Sequence, residues 1–455
     1  MMRSFHWRTA CLTLIAFLFL LPLPAWAVAV TRDDVLKLLN NPFQKKLFQN
    51  TYESLVHRVA PDGYLPESLT GAYPGMFPRT VGPYVFLMLE KHQWRIAKKV
   101  LRYTLEATAL SHLHRVPHVI GRAYSQHKPL VIPVINDQDQ PDGQYSVILA
   151  WARYVATTHD TAFENATYNQ VARLTNLATN VPYLNINTSL TTDLVRNPSF
   201  EDSREGRFWD TYDLLTQVFT AESWREMIPV AKARGDMAHV DKWQTALNEL
   251  EYGIRHYLTR RLGGKLIYAE MRLPNGYGGK IYTGLSWVNL SPIAAGWKRV
   301  NPKILNATVA AYRKRATFQW DGFHILGCEW NPPGVRHIYT VKKSGWVITR
   351  KPIRRARINY QLIGKQWAWE FLYSVQQKQW SRACHLLEFL RKAYKAPILA
   401  KPFPKAYKWP VFAESFWFQP KGKVAFSDPG NGEQCSWYCW AITTARKILT
   451  AYTPN

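Results

Sequence analysis

Three carboxylates, Glu201, Asp202 and Glu205, crowd into the segment NPSFEDSREGRFWDTYDLLTQ (197–217), with Phe200, Phe208, Trp209 and Tyr212 around them. Acids set among aromatic rings suit cleavage of a glycosidic bond. One carboxyl must keep its proton near neutrality to protonate a leaving oxygen, and apolar walls raise its pKa. Aromatic faces give sugar rings a platform. The same residues also fit a solvated acidic turn that caps the following helix. The elements that must position these acids bear on the choice.

From residue 31 onward the chain reads as helices in successive pairs. Thr31 to Ala60 reads as helix interrupted near Pro42. Then come Thr80–His92 with Gln93–Leu110, Gly143–Thr157 with Thr161–Thr179, and Trp209–Ala233 with Met237–Arg261. In the second half, Leu285–Trp297, Pro302–Arg315, Ile358–Gln377, Trp380–Ala396 and Gln434–Tyr452 carry the same signal. Long loops recur on alternate connections: 61–79, 111–142, the acid-rich centre, and 397–433. Gly263–Thr283 reads as a short strand pair, and 320–357 as mixed turn and strand. Helix pairs joined in this way cannot each bury a core. Closing six of them into an (α/α)6 toroid, all-α with short β-hairpin insertions, buries the inner faces and gathers the long loops at one rim. An open helical array is the alternative. The 19 Trp, 24 Tyr and 20 Phe favour the toroid with a lined cavity.

Residues 1–27 have the form of a secretory signal: Arg3 and Arg8, an apolar run from Ala10 to Leu21, and Ala25-Trp26-Ala27 at the cleavage point. A retained anchor is the alternative, since apolar character runs on to Val30. Residues 28–455 then form one domain, exported to the periplasm or the medium, with no membrane association after cleavage. The formal charge of +26 falls to +24 when Arg3 and Arg8 leave. A basic exported protein points to anionic surroundings, such as an envelope polymer, as a partner. No nucleic-acid recognition motif is present. The densest basic stretch, 342–357, carries seven Lys/Arg and no acid, the pattern of a solvated face.

Four segments, spread over most of the mature chain, resemble the six-hairpin glycosidases, and among them the glucoamylase-type enzymes of glycoside hydrolase family 15. YPGMFPRTVGPYVFLMLE (73–90) is similar to an aromatic-rich W-x-R-D stretch that binds the innermost sugar. Arg79 matches its arginine, and Thr80 stands where the family has Asp. NDQDQPDGQYSVILAWARYV (136–155) resembles N-D-G-x-x-x-x-A-W-A, with Asp142 matching the residue that bonds substrate hydroxyls. The central stretch resembles D-L-W-E-E-R-x-G-x-x-F/W-T with one extra residue, Ser203. VFAESFWF (411–418) and DPGNGEQCSWYCWA (428–441) resemble the A-E-Q segment and the final helix, the Trp-Ser order there being inverted.

The resemblance implies an inverting, exo-acting hydrolase of oligosaccharides. Glu201 is its general acid, with Asp202 and Glu205 as substitutes, and Glu414 its general base, with Glu433 as rival. Tyr73, Arg79, Asp142, Trp209 and Trp417 are the expected substrate contacts, and no cofactor is implied. A glycan-binding relative without activity is one alternative, motivated by Thr80. A polysaccharide lyase acting on an anionic glycan is the other, with His118 and Tyr124 as base and acid.

Other clusters carry less. His112, His114, His118 and His127 share one loop in no zinc-site spacing, so no metal is expected. Cys328, Cys384, Cys435 and Cys439 remain after signal cleavage and allow zero to two disulfides. Trp367 and Trp369 lie two apart on a helix, so at least one is core. Nucleophile-elbow and P-loop motifs are missing.

Overall fold

The computed structural model describes residues 29–123, 132–136, 139–180, 193–202, 207–273, 279, 281–330, 338–342, 345–349 and 357–451. The signal-like residues 1–27, Tyr124, His127 and Glu205 lie outside them.

Thirteen α-helices occur among the described residues: α1 (Arg32–Leu39), α2 (Pro42–His57), α3 (Pro78–Glu90), α4 (Trp94–Ala109), α5 (Pro141–Thr158), α6 (Thr161–Asn180), α7 (Leu214–Ala233), α8 (Met237–Tyr257), α9 (Ser291–Ala295), α10 (Pro302–Ala316), α11 (Gly364–Gln376), α12 (Trp380–Ala393) and α13 (Gly432–Ala451). The expected break at Pro42 is present. Asn41 caps α2 and Pro42 occupies its first turn, where a missing N–H costs nothing. Pro78, Pro141 and Pro302 open their helices in the same way.

Six helices close a ring, α3 on α5, α5 on α7, α7 on α9, α9 on α11, α11 on α13, and α13 back on α3. A helix with neighbours on every side must be apolar almost all round. Accordingly α11 buries every residue from Gly364 to Val375, Trp367 and Trp369 included. The outer helices are one-sided: α4 buries Ala97, Val100, Leu101, Thr104, Leu105 and Thr108 and leaves its other face to water. This is the (α/α)6 toroid that the helix pairing predicts.

Five of the six inner helices run into an outer successor through a short turn. His92, His159, Gly235, Gly296 and Lys378 each adopt the left-handed conformation there, which ends a helix and satisfies its last carbonyls. Each outer helix returns through a long loop to the N-terminus of the next inner helix. The long loops therefore share one rim, at the positive ends of the inner helices.

Several expectations are corrected. The acid-rich centre is not a loop at a helix start but a β-hairpin: Asn197–Asp202 pairs antiparallel with Arg207–Asp213, Glu201 opposite Phe208. Its aromatic residues favour a pleated strand, and α7 begins only where the Asp213 carboxylate caps the Thr216 N–H at 2.7 Å. The 397–433 connection is likewise not a plain loop. Ala413–Phe418 and Val424–Pro429 form a hairpin, joined on either side by Gln361–Ile363 and, in parallel, Pro397–Leu399. Left-handed Lys421 and Gly422 make its turn. Leu285–Trp297 shrinks to a 3-10 turn (Trp287–Leu290) followed by the five residues of α9. Among the described residues, Cys384, Cys435 and Cys439 are free thiols. No described helix is long and apolar enough to cross a membrane.

Candidate active site

The rim encloses a cavity of about 280 Å³ above the N-terminal ends of α3, α11 and α13. Five loop systems wall it. Glu67, Tyr73 and Phe77 come from the loop before α3, with Arg79 and Thr80 from its first turn. His118 and Gln140 come from the loop before α5, and Trp287 from the 3-10 turn. Gln361, Ile363 and Lys365 lead into α11. Glu414, Ser415, Trp417 and Ser427 stand on the late hairpin, and Asn431, Glu433 and Gln434 open α13. A void of about 10 Å³ lies beside Arg79, among Asp142, Trp369 and Trp437.

Glu414 projects from its strand into this cavity. Two hydroxyls donate to its carboxylate, Tyr73 Oη to Oε1 and Ser427 Oγ to Oε2, the latter at 3.1 Å. Burial pushes its pKa up, the Tyr73 bond opposes that, and Asp428 and Glu433 push it further, leaving it at about 7. The carboxyl thus exchanges its proton near neutrality. Tyr73 is held in place by its own loop. Ser68 and Thr70 hydroxyls both donate to Asp428 Oδ1 at 2.6 Å, fastening the 68–73 turn to the strand that carries Ser427.

Glu433 also faces the cavity, in the first turn of α13. Its carboxylate is engaged by the Lys365 ammonium at 2.9 Å and the Gln434 amide at 3.2 Å. The Lys365 ammonium lies 4.0 Å from the Trp287 ring centroid, a cation–π contact. A third carboxyl, Glu67, accepts from the Thr80 hydroxyl and from the Glu433 N–H at 3.1 Å. Burial lifts its pKa to about 8, so it carries its proton at neutral pH. Thr80, the departure from the resembled motif, therefore still contacts a carboxyl, one supplied by the preceding loop.

Arg79 reaches down from the cavity wall to Asp142, Nη2 to Oδ2 at 2.7 Å. Asp142 also accepts from Asn197 Nδ2 at 3.1 Å, and Asn197 touches Asp213 and Thr216. Burial, and then the Asp142 charge, raise the Asp213 pKa to about 7. Burial and Arg79 together depress His118 to about 4, so its imidazole is neutral.

Of the residues singled out from sequence, the structure brings Tyr73, Arg79, Glu414, Trp417 and Glu433 to one cavity, and Trp417 stands 42% exposed at its lip. Asp142 lies beneath, behind Arg79, in the first turn of α5, whose N-cap is Gln140. Glu201 and Asp202 stand on the rim hairpin. Their side chains and that of Trp209 lie outside the described residues, as does the whole of Glu205. Sequence reasoning missed Glu67, Trp287, Lys365 and Ser427. Glu67 had one available signal: it is the first carboxylate past Asp62 in a long loop that precedes an inner helix.

No family model matches the chain, and no curated protein matches it. Solved structures do. A bacterial glucoamylase complexed with acarbose is 14% identical, with a TM-score of 0.58 over 90% of this chain and 56% of that one. The chain thus spans little more than half the length of that enzyme. A metal-independent alpha mannosidase from Streptococcus pneumoniae, in a non-productive complex with alpha-1,6-mannobiose, is 12% identical, with a TM-score of 0.59 over 92% and 97%. D-mannose isomerase is 11% identical, with a TM-score of 0.54 over 91% and 99%. The fold is that of the six-hairpin sugar enzymes. Hydrolases and an isomerase share it, so the reaction must be argued from the site.

Proposed function

We propose that the protein is an exported glycoside hydrolase, inverting and exo-acting, that removes sugar units from oligosaccharides. The observation that carries this reading is Glu414, a carboxylate held by two hydroxyls at the wall of a rim cavity with an exposed tryptophan at its lip. In the proposed reaction Glu414, ionised, takes a proton from water as that water attacks the anomeric carbon. Glu201, on the rim hairpin, gives its proton to the departing glycosidic oxygen, with Asp202 and Glu205 as its substitutes. Inversion asks for roughly 6.5–9.5 Å between the two carboxyls, room for the water. Glu433 suits the base role less well, because Lys365 and Gln434 already occupy its oxygens. The cavity is close to the small end of ligand sites, roughly 300–1,000 Å³, which suits a terminal sugar better than mid-chain binding. The acarbose- and mannobiose-bound structures of the same fold support a sugar ligand. The signal-like residues 1–27 support export, and 28–455 as one toroid domain.

A polysaccharide lyase is favoured by one observation, the neutral His118 beside Arg79 in the same cavity. A glycan panel with product detection separates the readings. Inverted reducing sugar by NMR supports the hydrolase. An unsaturated uronate absorbance supports the lyase, and binding without product supports a relative without activity.

A further inference from the structure

A second concavity lies on the face opposite the cavity, where inner helices α3 and α13 end. It is an open groove of about 550 Å³ lined by Lys45, Lys46, Lys91 and Arg446 around Phe48. Among the described residues no carboxylate lines it. Two of the cations are positioned by packing. The Lys91 ammonium lies 5.4 Å from the Phe48 ring centroid, and the Arg446 guanidinium carbon 5.1 Å from the same centroid. Phe48 in turn stacks on Tyr52, planes 3° apart. Arg446 is fixed further by a 3.1 Å bond to the Leu39 carbonyl.

Helix ends explain part of this charge and leave the rest. Lys91 caps the C-terminus of α3 and Arg446 sits near that of α13, where cations offset the helix dipole. Lys45 and Lys46 do the reverse. They stand near the N-terminus of α2, whose first turn holds no acid, so the dipole and the neighbouring cations both disfavour them. Holding four like charges around one groove costs free energy, which an anionic ligand would recover. At about 550 Å³ the groove is too large for one small anion.

We propose that this groove binds a segment of acidic polysaccharide bearing carboxylates on successive sugars, so that the protein docks on its polymer by one face and presents the opposite rim to sugar ends. This rests on the hydrolase reading only in taking a glycan as the partner.

The test is calorimetric binding of polygalacturonate to the full chain at low salt, with Lys45→Glu/Lys46→Glu and Lys45→Gln/Lys46→Gln beside it. Both pairs are exposed helix-surface changes, and thermal melts confirm folding. The groove predicts binding that weakens at least ten-fold in the Glu pair, less in the Gln pair, and falls steeply with added salt. Turnover of a neutral oligosaccharide stays unchanged in both. Absent binding, or equal binding by all three proteins, overturns the proposal. So does binding to phosphatidylglycerol vesicles without binding to polygalacturonate. Polymer binding by the parent that weakens in the Glu pair, in a protein that turns over no glycan, would sink the hydrolase reading and leave the groove standing.

Discussion

Two carboxyls in this molecule are tuned in opposite directions. Glu370, on inner helix α11, is 0% exposed, yet its pKa is held below the usual range. Burial pushes it up, but Arg382 at 2.7 Å and Arg313 at 3.1 Å outweigh burial. Glu414 is only partly buried, at the cavity wall, yet its pKa rises to about 7. Burial alone would order them the other way. The partners decide: two guanidinium groups from outer helices α10 and α12 make Glu370 a permanent anion that ties three helices together. Two hydroxyls leave Glu414 able to gain and lose a proton. In the cavity Glu414 and Glu67 are met by hydroxyls and a backbone N–H, while the nearest guanidinium, Arg79, is engaged by Asp142 beneath them.

Glu414→Gln should break the chemical half of this contrast most visibly. A general base contributes roughly 10²–10⁴ in rate, so kcat should fall by that factor while sugar affinity by calorimetry changes little. Next comes the structural half. Glu370→Gln takes the buried charge partner from two part-buried guanidinium groups, and losing one partner of a fully buried pair costs about 3–5 kcal/mol, an upper bound here. Thermal melts should show it, with the affinity for sugar intact in the folded fraction.

Glu67→Gln sharpens the comparison through pH. The folded-state pKa of Glu67, about 8, lies above its unfolded model value of 4.5, so the native state holds the extra proton between them. Its contribution to stability therefore falls as pH rises from about 4.5 through about 8. The glutamine variant should gain over the parent as melts move from pH 5 to pH 8, by on the order of a few kcal/mol. Tyr73→Phe removes a donor that favours ionised Glu414. The acidic limb of kcat/KM should then move to higher pH, and an unmoved limb would detach Tyr73 from the base. Trp417→Ala is the mildest change. It removes an exposed face at the lip, and KM should rise several-fold, about 1 kcal/mol, with kcat nearly constant.

The toroid was legible because alternation of long and short connections survives in any sequence that builds it. Proline and cap residues marked most helix starts to within a few positions. The strands were not legible. Residues 200–212 pack aromatics and acids with no clean alternation, because the bulge between Asn197 and Phe200 shifts the register. Residues 413–418 sat in a stretch dense in Pro and Lys that reads as loop. Glu414 and Tyr73 were found through motif resemblance. Ser427 was not, since a lone serine carries no signal until the hairpin lays its strand beside Ala413–Phe418. Lys365 and Glu433 lie 68 residues apart, and only ring closure of α11 on α13 makes them a pair.

The most direct measurement of the central claim is a carbon-13 NMR titration of glutamate carboxyls in the parent and in Glu414→Gln. The account predicts a resonance with a midpoint near pH 7 that disappears in the variant, while Glu370 stays ionised throughout. A Glu414 midpoint at pH 4–5, or no change on substitution, would contradict it.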